Sequence, residues 1–293
     1  MHKPQLSMID DSSWLLADGA WGTELQQKGL EPGASPEGWN LTQRSLVAEV
    51  ARSYVEAGAS VIITNTFGAN TFVLGRHGLA DKLTEINRAG AEISVDAANN
   101  QALVFGAMGP TGQLLAMGEV SSDEISDSYR RQSIALWQGG VDALLIETMI
   151  DLDEMRLAAR AASETTPLPL ILSMTFDSGR TKTQTMMGVT PEQAVAVMEE
   201  AGAWAVGANC GLGPEYYVQV CEKLRGCTSK PIWIKSNAGI PQLVDNAVVY
   251  PQDRTAFAGF ARDLKRAGAN IIGGCCGTTP GHIAELKTTL FSN

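Results

Sequence analysis

The sequence is short of positive charge and has no long apolar run. It contains 22 Lys and Arg against 32 Asp and Glu, which gives a formal net charge of −10. No basic run is longer than two residues, whereas proteins that bind nucleic acids or anionic membranes present clustered Lys and Arg. No segment approaches the ~18 consecutive apolar residues of a membrane-spanning helix. We therefore expect neither a nucleic acid nor a membrane as a partner.

The sequence also shows no sign of a secretion signal or of a disulfide framework. The first 13 residues contain no apolar region, although a secretion signal needs one. The cysteines number five, and an odd number in a chain of 293 residues does not indicate a set of disulfides. We expect a reducing, cytoplasmic location, where neighbouring thiols serve metal binding or catalysis.

What the sequence does contain is a regular alternation of apolar runs and helical patterns. Eight short runs are nearly continuous in apolar residues, as expected of strands that are buried on both faces of a parallel sheet. They span residues 14–19, 60–66, 103–109, 143–148, 170–176, 205–210, 231–237 and 270–276. Amphipathic patterns between them predict helices at roughly 43–57, 81–100, 123–139, 151–165, 191–201, 214–225, 253–267 and 280–290.

This alternation predicts an α/β fold, a single (β/α)8 (TIM) barrel in which residues 1–293 form one domain. A doubly wound open sheet is the alternative, but that fold has no need for eight units. An internal repeat favours the closed barrel, because a small-residue turn with a glycine precedes every second run. These glycines are Gly58, Gly140, Gly202 and Gly268.

Counting from those glycines places polar and thiol side chains at one level of the barrel. Seven residues on lie Asn65, Glu147, Asn209 and Cys275, and eight residues on lie Thr66, Thr148, Cys210 and Cys276. Alternate strands of a barrel contribute to the same layer, and barrel active sites lie at the C-terminal rim. We therefore predict an active site at that rim, covered by three long connections at 18–39, 177–189 and 238–252.

Three cysteines, Cys210, Cys275 and Cys276, are predicted to converge at this rim. Three thiolates suit Zn²⁺, and three protein ligands leave a fourth position open, as in catalytic zinc sites. Neighbouring side chains of a regular strand point to opposite faces, so the adjacent pair can face one metal only where the strand bends. The glycines on both sides of the pair permit such a bend. The alternative is that all three are small buried residues, which free cysteines often are.

An open zinc–thiolate site can bind and deprotonate a substrate thiol, or it can activate water for hydrolysis. We favour sulfur activation, because an all-sulfur ligand set makes zinc a weaker Lewis acid. A hydrolase would also need a general base at the rim. The histidines are expected to be solvated rather than catalytic; they are His2, His77 and His282.

Two acids at the rim, Asp18 and Glu147, are predicted to hold an ammonium group. Asp18 ends the first apolar run and Glu147 ends the fourth, and buried charges persist only when they are paired. A substrate that carries both a thiol and an amino group would satisfy the acids and the metal together. The backbone amides at Gly19 and Ala20 are expected to receive its carboxylate.

The rim motifs occur in a recognisable order that covers nearly the whole chain. They are Asp18-Gly19-Ala20-Trp21-Gly22-Thr23, Thr64-Asn65-Thr66-Phe67, Gly109-Pro110-Thr111-Gly112, Glu147-Thr148, Asn209-Cys210 and Gly273-Gly274-Cys275-Cys276-Gly277. In this order they resemble the zinc-dependent homocysteine S-methyltransferases, a family that includes betaine–homocysteine methyltransferases, S-methylmethionine–homocysteine methyltransferases and the homocysteine domain of cobalamin-dependent methionine synthase. The double cysteine with the upstream Asn-Cys is highly specific.

The resemblance implies that the three cysteines bind zinc and that homocysteine takes the open position through its sulfur. Asp18 and Glu147 would match the residues that bind its amino group, and we include Asn209 and Gly19 in the same substrate site. The sulfur would then displace a methyl group in line and give methionine. No catalytic side chain is implied, since neither a proton relay nor a covalent enzyme intermediate is required.

The likeness is weaker at the methyl donor. Betaine-using animal relatives surround the quaternary ammonium with a tryptophan and two tyrosines. Trp39 matches the tryptophan, but Gly68 and Thr148 stand where the tyrosines would be. Trp21 offers a second aromatic face for an onium group, or else packs beneath the rim.

We therefore predict a zinc-dependent methyltransferase that makes methionine from homocysteine and an onium donor, such as betaine or a methylsulfonium compound. One alternative is a half-enzyme that takes the methyl group from a separate methyl-corrinoid protein. A zinc hydrolase and a thiol-binding barrel without turnover are alternatives from other classes. The sequence does not determine whether the protein assembles into a homo-oligomer.

Overall fold

The eight apolar runs form eight parallel strands in a computed structural model that describes residue 6 and residues 14–244 and 247–291. Six of the eight strands are shorter than their runs, whereas β6 matches its run and β4 extends one residue beyond it. The barrel strands are β1 (Leu15–Leu16), β2 (Val61–Ile63), β3 (Leu103–Met108), β4 (Ala143–Met149), β5 (Leu170–Met174), β6 (Ala205–Cys210), β7 (Ile232–Ser236) and β10 (Ile271–Gly274), while β8 (Gln242–Val244) and β9 (Ala247–Val249) form a separate antiparallel pair.

The sheet closes on itself, which confirms the barrel and excludes the open sheet. Its order is β1-β10-β7-β6-β5-β4-β3-β2. The two ends of this order meet where Ala17 bridges Val61 in parallel. The Asp18 amide donates to the Val61 carbonyl at 3.0 Å, and the Ser60 amide donates to the Leu16 carbonyl at 2.7 Å. Closure leaves no barrel strand with an unpaired edge.

Helices surround the barrel, and several begin at the caps that the sequence indicates. Thr190 caps α8 with Pro191 at the first helical position, and Ser121 forms a capping box with Glu124. The described helices are α1 (Gly22–Gln27), α2 (Trp39–Thr42), α3 (Arg44–Ala57), α4 (Thr71–Gly75), α5 (Leu83–Ala98), α6 (Ser122–Gln138), α7 (Leu152–Thr165), α8 (Pro191–Glu200), α9 (Pro214–Arg225), α10 (Arg254–Gly259), α11 (Ala261–Arg266) and α12 (Pro280–Phe291), with 3₁₀ turns at Ala80–Lys82 and Leu115–Met117.

The structure differs from the predicted helices in two ways. The pattern at 253–267 forms two helices, α10 and α11, that meet at Phe260. Three short helices, α1, α2 and α4, lie in connections where the sequence predicts none, because segments of four to six residues carry too little periodicity to be detected. No helix among the described residues is long and apolar enough to cross a membrane.

The repeat of glycines has the conformation that a left-handed turn requires. Gly58, Gly140, Gly202 and Gly268 have φ of 99°, 88°, 76° and 103°. Each lies at a helix end and turns the chain toward the next strand, a position that disfavours any residue with a Cβ atom. The common register predicted from these glycines is therefore built on a common backbone turn, which brings the ends of β2, β4, β6 and β10 to one rim.

Candidate active site

A cavity of about 440 Å³ opens at the C-terminal ends of the barrel strands. Its wall combines charged, thiol and aromatic side chains from the ends of five strands and from the connections that follow β1 and β7. The lining residues that matter for chemistry are Glu37, Glu147, Lys235, the three predicted metal ligands Cys210, Cys275 and Cys276, and the aromatic residues Trp21, Phe67 and Tyr250.

The three predicted cysteines converge in this wall. The Sγ atoms of Cys210, Cys275 and Cys276 all lie within 4.8 Å of one another. Among the described residues, they form the one group of three or more His, Cys, Asp or Glu side chains close enough to share a metal ion. The remaining cysteines lie elsewhere, since Cys221 is buried in α9 and Cys227 is exposed.

The adjacent cysteines can face the same point because the strand ends before them. β10 stops at Gly274, and Cys275 begins a turn that the Thr278 amide closes on the Cys275 carbonyl at 3.1 Å. Gly277 continues the turn with φ of 80°. Gly273 is equally constrained, since a Cβ atom there would lie 2.6 Å from the Asp18 carbonyl oxygen. The bend expected from the flanking glycines is confirmed.

Backbone conformation is unusual at two other strand ends beside the cavity. Cys210 and Thr148 have φ of 66° and 62°, a left-handed conformation that residues with a Cβ atom rarely adopt. The Tyr217 hydroxyl donates to the Cys210 carbonyl at 2.7 Å, and the Thr148 amide donates to Asn209 Oδ1 at 2.9 Å. Such strained residues persist where surrounding bonds hold them, and they concentrate at functional sites.

The donor set fits a thiophilic metal ion. Without a cation, a hydrogen bond with Cys275 raises the pKa of Cys210, and one with Cys210 raises the pKa of Cys276 to about 12, with burial adding in both cases. Clustered, partly buried thiols therefore stay protonated unless a positive charge offsets their anions. Sulfur ligands select soft or borderline metals such as Zn²⁺.

Glu147 lines the cavity with a carboxyl group that is almost fully buried. Burial raises the pKa of Glu147 to about 7, against the lowering effect of Lys235 and with a smaller rise from Asp18. Asn209 Nδ2 lies 3.3 Å from its Oε2 atom. A carboxylate in this state would gain from a cationic ligand, which agrees with the predicted role for an ammonium group.

Asn209 positions its neighbours rather than lining the cavity. It is fully buried and is not among the cavity-lining residues. Its Oδ1 accepts from the Ser173 hydroxyl at 2.6 Å, and its Nδ2 donates to Thr148 Oγ1 at 2.7 Å. The polar atoms of Asn209 are thus bonded within the protein, and its role as a substrate contact stays a prediction.

Asp18, the other acid predicted to hold an ammonium group, is also bonded within the protein, and its role toward the substrate stays a prediction. Asp18 lies beneath the cavity wall with no exposed surface. Its Oδ1 accepts from Lys235 Nζ at 2.5 Å, and its Oδ2 accepts from the Ile63 amide at 2.8 Å and Trp21 Nε1 at 3.0 Å. With three protein donors on its carboxylate, Asp18 holds Lys235 and Trp21 in place.

Lys235 is the functional residue that sequence reasoning missed. It is 2% exposed, lines the cavity and interrupts the apolar strand Ile232–Ser236. A lysine within a buried strand is the signal that could have revealed it, since lysine is almost never fully buried unless paired. Burial opposes its charge, yet Asp18 and Glu147 outweigh that effect and raise the pKa of Lys235.

The remaining predicted contacts divide into two groups. Gly19 and Trp21 line the cavity, as expected. Trp39 does not, because it begins α2 and packs against the hydrophobic core instead. The Ala20 amide is already bonded to Thr278 Oγ1 at 3.1 Å, so it is not free to receive a carboxylate.

Of the histidines, His77 is exposed as expected, and His2 lies outside the described residues. His282 is a correction, because it is buried and bonded rather than solvated. Its Nδ1 lies 3.0 Å from Thr279 Oγ1, and its Nε2 lies 3.2 Å from the Gln252 carbonyl. It therefore joins the start of α12 to the connection after β7.

Two of the three predicted covering connections contribute to the cavity. The connection after β1 supplies Trp21 and Glu37, and the one after β7 supplies Val248 and Tyr250. No described residue from 177–189 lines it. Tyr250 lies beside Cys276 and packs against Gly277, a placement that nothing in its local sequence indicated.

Fold and site together define a class, the (β/α)8 enzymes whose rim can hold a metal ion on sulfur. The family model for homocysteine S-methyltransferase matches residues 15–290. The chain therefore belongs to the homocysteine S-methyltransferase family, which confirms the resemblance seen in its motifs.

Relatives and solved structures agree with this assignment. A methionine synthase of Mycobacterium leprae (strain TN) is 31% identical over 299 residues, covering 94% of this chain and 24% of the relative. The methionine synthase of Mycobacterium tuberculosis (strain ATCC 25618 / H37Rv) is 30% identical with the same coverage. This chain thus spans about a quarter of the length of these curated relatives. The homocysteine methyltransferase MmuM from Escherichia coli, in its metallated form, has a TM-score of 0.81 at 25% identity, covering 96% of this chain and 98% of that one.

Proposed function

We propose that this protein transfers a methyl group from an onium donor to the sulfur of homocysteine and so forms methionine. The observation that carries the proposal is the convergence of three sulfur atoms in a cavity that also contains a buried carboxyl group, Glu147. A thiol-bearing amino acid presents both complementary groups. Membership of the homocysteine S-methyltransferase family supports the same substrate.

Cys210, Cys275 and Cys276 would hold Zn²⁺ with one coordination position left for the substrate. When bound, the metal lowers the pKa of a thiol that shares it, so that the substrate sulfur is a thiolate at neutral pH. A free thiol has a pKa near 8.5 and is only a few per cent ionised at pH 7.

The other wall residues would orient the substrate. Asn209 donates a hydrogen bond that holds the Glu147 carboxylate in place, and this carboxylate accepts hydrogen bonds from the ammonium group. Lys235 offers a positive charge for the carboxylate while Asp18 fixes its position. The thiolate then attacks the methyl carbon, forming the S–CH₃ bond as the bond from methyl to the donor's nitrogen or sulfur breaks. The electron pair of that bond stays with the donor, so no side chain has to relay a proton.

A second candidate is transfer from a separate methyl-corrinoid protein. The relatives named methionine synthase favour it, since this chain matches only about a quarter of their length. A hydrolase is less well supported, because no histidine is found among the described residues that line the cavity.

A donor panel tests the proposal. Purified protein loaded with zinc and supplied with homocysteine is expected to form methionine with at least one of betaine, other methylated ammonium compounds and methylsulfonium compounds. Methionine is quantified by mass spectrometry, with chelator-treated protein as the control. Activity with methylcobalamin alone would favour the corrinoid alternative, and no methionine from any donor would overturn the proposal.

Replacing Glu147 with glutamine is expected to weaken amino acid binding about 10-fold to 100-fold, since a charge-assisted hydrogen bond contributes about 1.5–3 kcal/mol. Methionine is a suitable ligand because its ammonium group does not titrate near neutral pH. In the wild-type protein its affinity should fall as pH drops below about 7, where Glu147 becomes protonated. Calorimetry between about pH 5.5 and 8 checks both effects.

Glu147→Gln weakens amino acid binding, but it is expected to raise the free energy of unfolding of the unliganded protein. The pKa of Glu147 rises from 4.5 to about 7 on folding, so the folded state binds the proton more tightly. Ionised Glu147 therefore destabilises the unliganded wild-type protein above pH 7, and this penalty disappears as pH falls toward 4.5. Glu147→Gln should add up to about 3 kcal/mol of stability at pH 8 and little at pH 4.5.

In the binding experiment, a methionine affinity that is unchanged in Glu147→Gln would remove Glu147 from the ammonium site.

A further inference from the structure

Glu37 is a second buried carboxylate in the wall of the same cavity, and homocysteine binding gives it no role. It is 4% exposed and lies in the turn that precedes α2. Its Oε1 accepts from the Gly68 amide and its Oε2 accepts from the Ser35 hydroxyl, both at 2.7 Å. One hydrogen bond on each oxygen holds the group in place and leaves further acceptor capacity on both.

Among the described residues, no Lys, Arg or His side chain forms an ion pair with Glu37. Asp18, in contrast, is paired with Lys235. A buried anion without a counter-charge is costly, and it is retained where a ligand supplies the cation.

A comparison with Glu154 separates a structural acid from one that faces a ligand. Glu154 is also 4% exposed, but its Oε1 accepts from the Thr111 amide, the Thr111 hydroxyl and the Tyr129 hydroxyl at 2.7, 2.6 and 3.0 Å. It does not line the cavity. Glu37 has fewer donors and faces the space where a substrate binds.

Aromatic side chains in the same wall narrow the kind of cation. Phe67 immediately precedes Gly68, whose amide holds Glu37, and its ring is 40% exposed. Trp21 and Tyr250 line the same cavity. A cavity wall that contains both a carboxylate and aromatic rings suits an organic cation with a methylated, weakly hydrated head group. A metal ion would require more oxygen ligands than Glu37 provides.

We propose that Glu37, with Phe67 beside it, binds the positively charged head of the methyl donor and selects onium compounds over neutral ones. The inference rests on the proposed methyl transfer and assigns the donor half of the cavity. Glu37 acts through charge attraction alone, since the methyl group passes directly from the donor to the substrate sulfur. The bonds that form and break are therefore the same as those given for the proposed methyl transfer.

Glu37→Gln tests this assignment in the zinc-loaded protein of 293 residues. Glutamine removes the charge and keeps an oxygen acceptor for the Gly68 amide, while its amide nitrogen can donate to the Ser35 hydroxyl, which accepts as well as donates. Tetramethylammonium, which has no reactive partner in the absence of homocysteine, serves as the probe in calorimetry. We expect its affinity, and the KM for the active onium donor, to weaken at least ~10-fold. The KM for homocysteine and the zinc content should stay within about twofold.

Glu31→Gln is the matched control, because it removes the same charge from an exposed residue in the same connection. It should leave every value unchanged. Should Glu37→Gln fail to fold by circular dichroism, Phe67→Ala at the exposed ring provides the second variant and should weaken tetramethylammonium binding several-fold.

The outcomes distinguish this inference from the proposed function. Equal tetramethylammonium affinity in wild type and Glu37→Gln, or no binding to wild type, overturns the Glu37 assignment even if methionine is formed. A rise in the KM for homocysteine instead of the donor also overturns it. Absence of methionine with every donor overturns the proposed function, whereas tetramethylammonium binding is measured without turnover.

Discussion

Replacing Cys276 with alanine is expected to weaken metal binding by ~10²–10³, so that the purified variant loses its metal and its methyl transfer activity while the barrel stays folded. The cysteine lies in a turn beyond β10, and the hydrophobic core is built from the strands and helices below it. Zinc sites with four ligands contribute ~10–16 kcal/mol, so the loss of one ligand costs about 3–4 kcal/mol, or ~10²–10³ in affinity. Metal analysis of the purified variant and its circular dichroism spectrum check the two parts of this prediction.

Cys227→Ala is the control, since Cys227 is exposed and lies away from the cavity. It should keep the metal stoichiometry and the activity of the wild-type protein. Full metal content in Cys276→Ala would show that the third sulfur is not a ligand. Loss of the folded circular dichroism spectrum would show that the turn is needed for folding, contrary to the prediction.

Replacing Asp18 with asparagine is expected to destabilise the protein by about 3–5 kcal/mol, the range found when one partner of a buried ion pair is removed. Lys235 would be left with a buried charge and without its 2.5 Å partner. The asparagine amide would also face donors, because Asp18 Oδ2 now accepts from the Ile63 amide and Trp21 Nε1. Urea denaturation at pH 7 measures the loss.

A double variant separates the ion pair from the other bonds of Asp18. Asp18→Asn with Lys235→Met removes both charges, and an apolar replacement of a buried pair is often neutral in stability. We expect the double variant to recover at least half of the stability lost in Asp18→Asn. Additive losses from the two single variants would mean that the Asp18–Lys235 pair contributes no coupling energy.

Local pattern was sufficient for the eight strands, most of the longer helices and the convergence of the three cysteines. The glycine repeat predicted the common register, and the structure brings Cys210, Cys275 and Cys276 together as that register required. The cysteines could be recognised because sulfur at a strand end has few structural uses. Glu147 could be placed at the rim for the same reason, as an acid that ends an apolar strand.

The sequence pattern did not indicate which groups the rim side chains would contact. Asp18 and Asn209 occupy the expected strand ends, yet their polar atoms bond to protein groups that are distant in the sequence. Trp39 lies in the expected connection but turns toward the core. The local sequence does not indicate whether a carboxylate or an aromatic ring will contact a substrate or another part of the protein, because both kinds of partner offer the same hydrogen bonds or apolar surface.

The sequence by itself determined the barrel, its eightfold alternation, the rim as the place of the site and the cysteines that meet there. These follow from periodicity and from glycine turns, which act over short stretches of chain. Only the tertiary structure decided that Lys235 pairs with Asp18, and that Glu37 lines the cavity without an ion-pair partner among the described residues. The reason is that electrostatic pairing depends on distances through space between residues as far apart as positions 18 and 235.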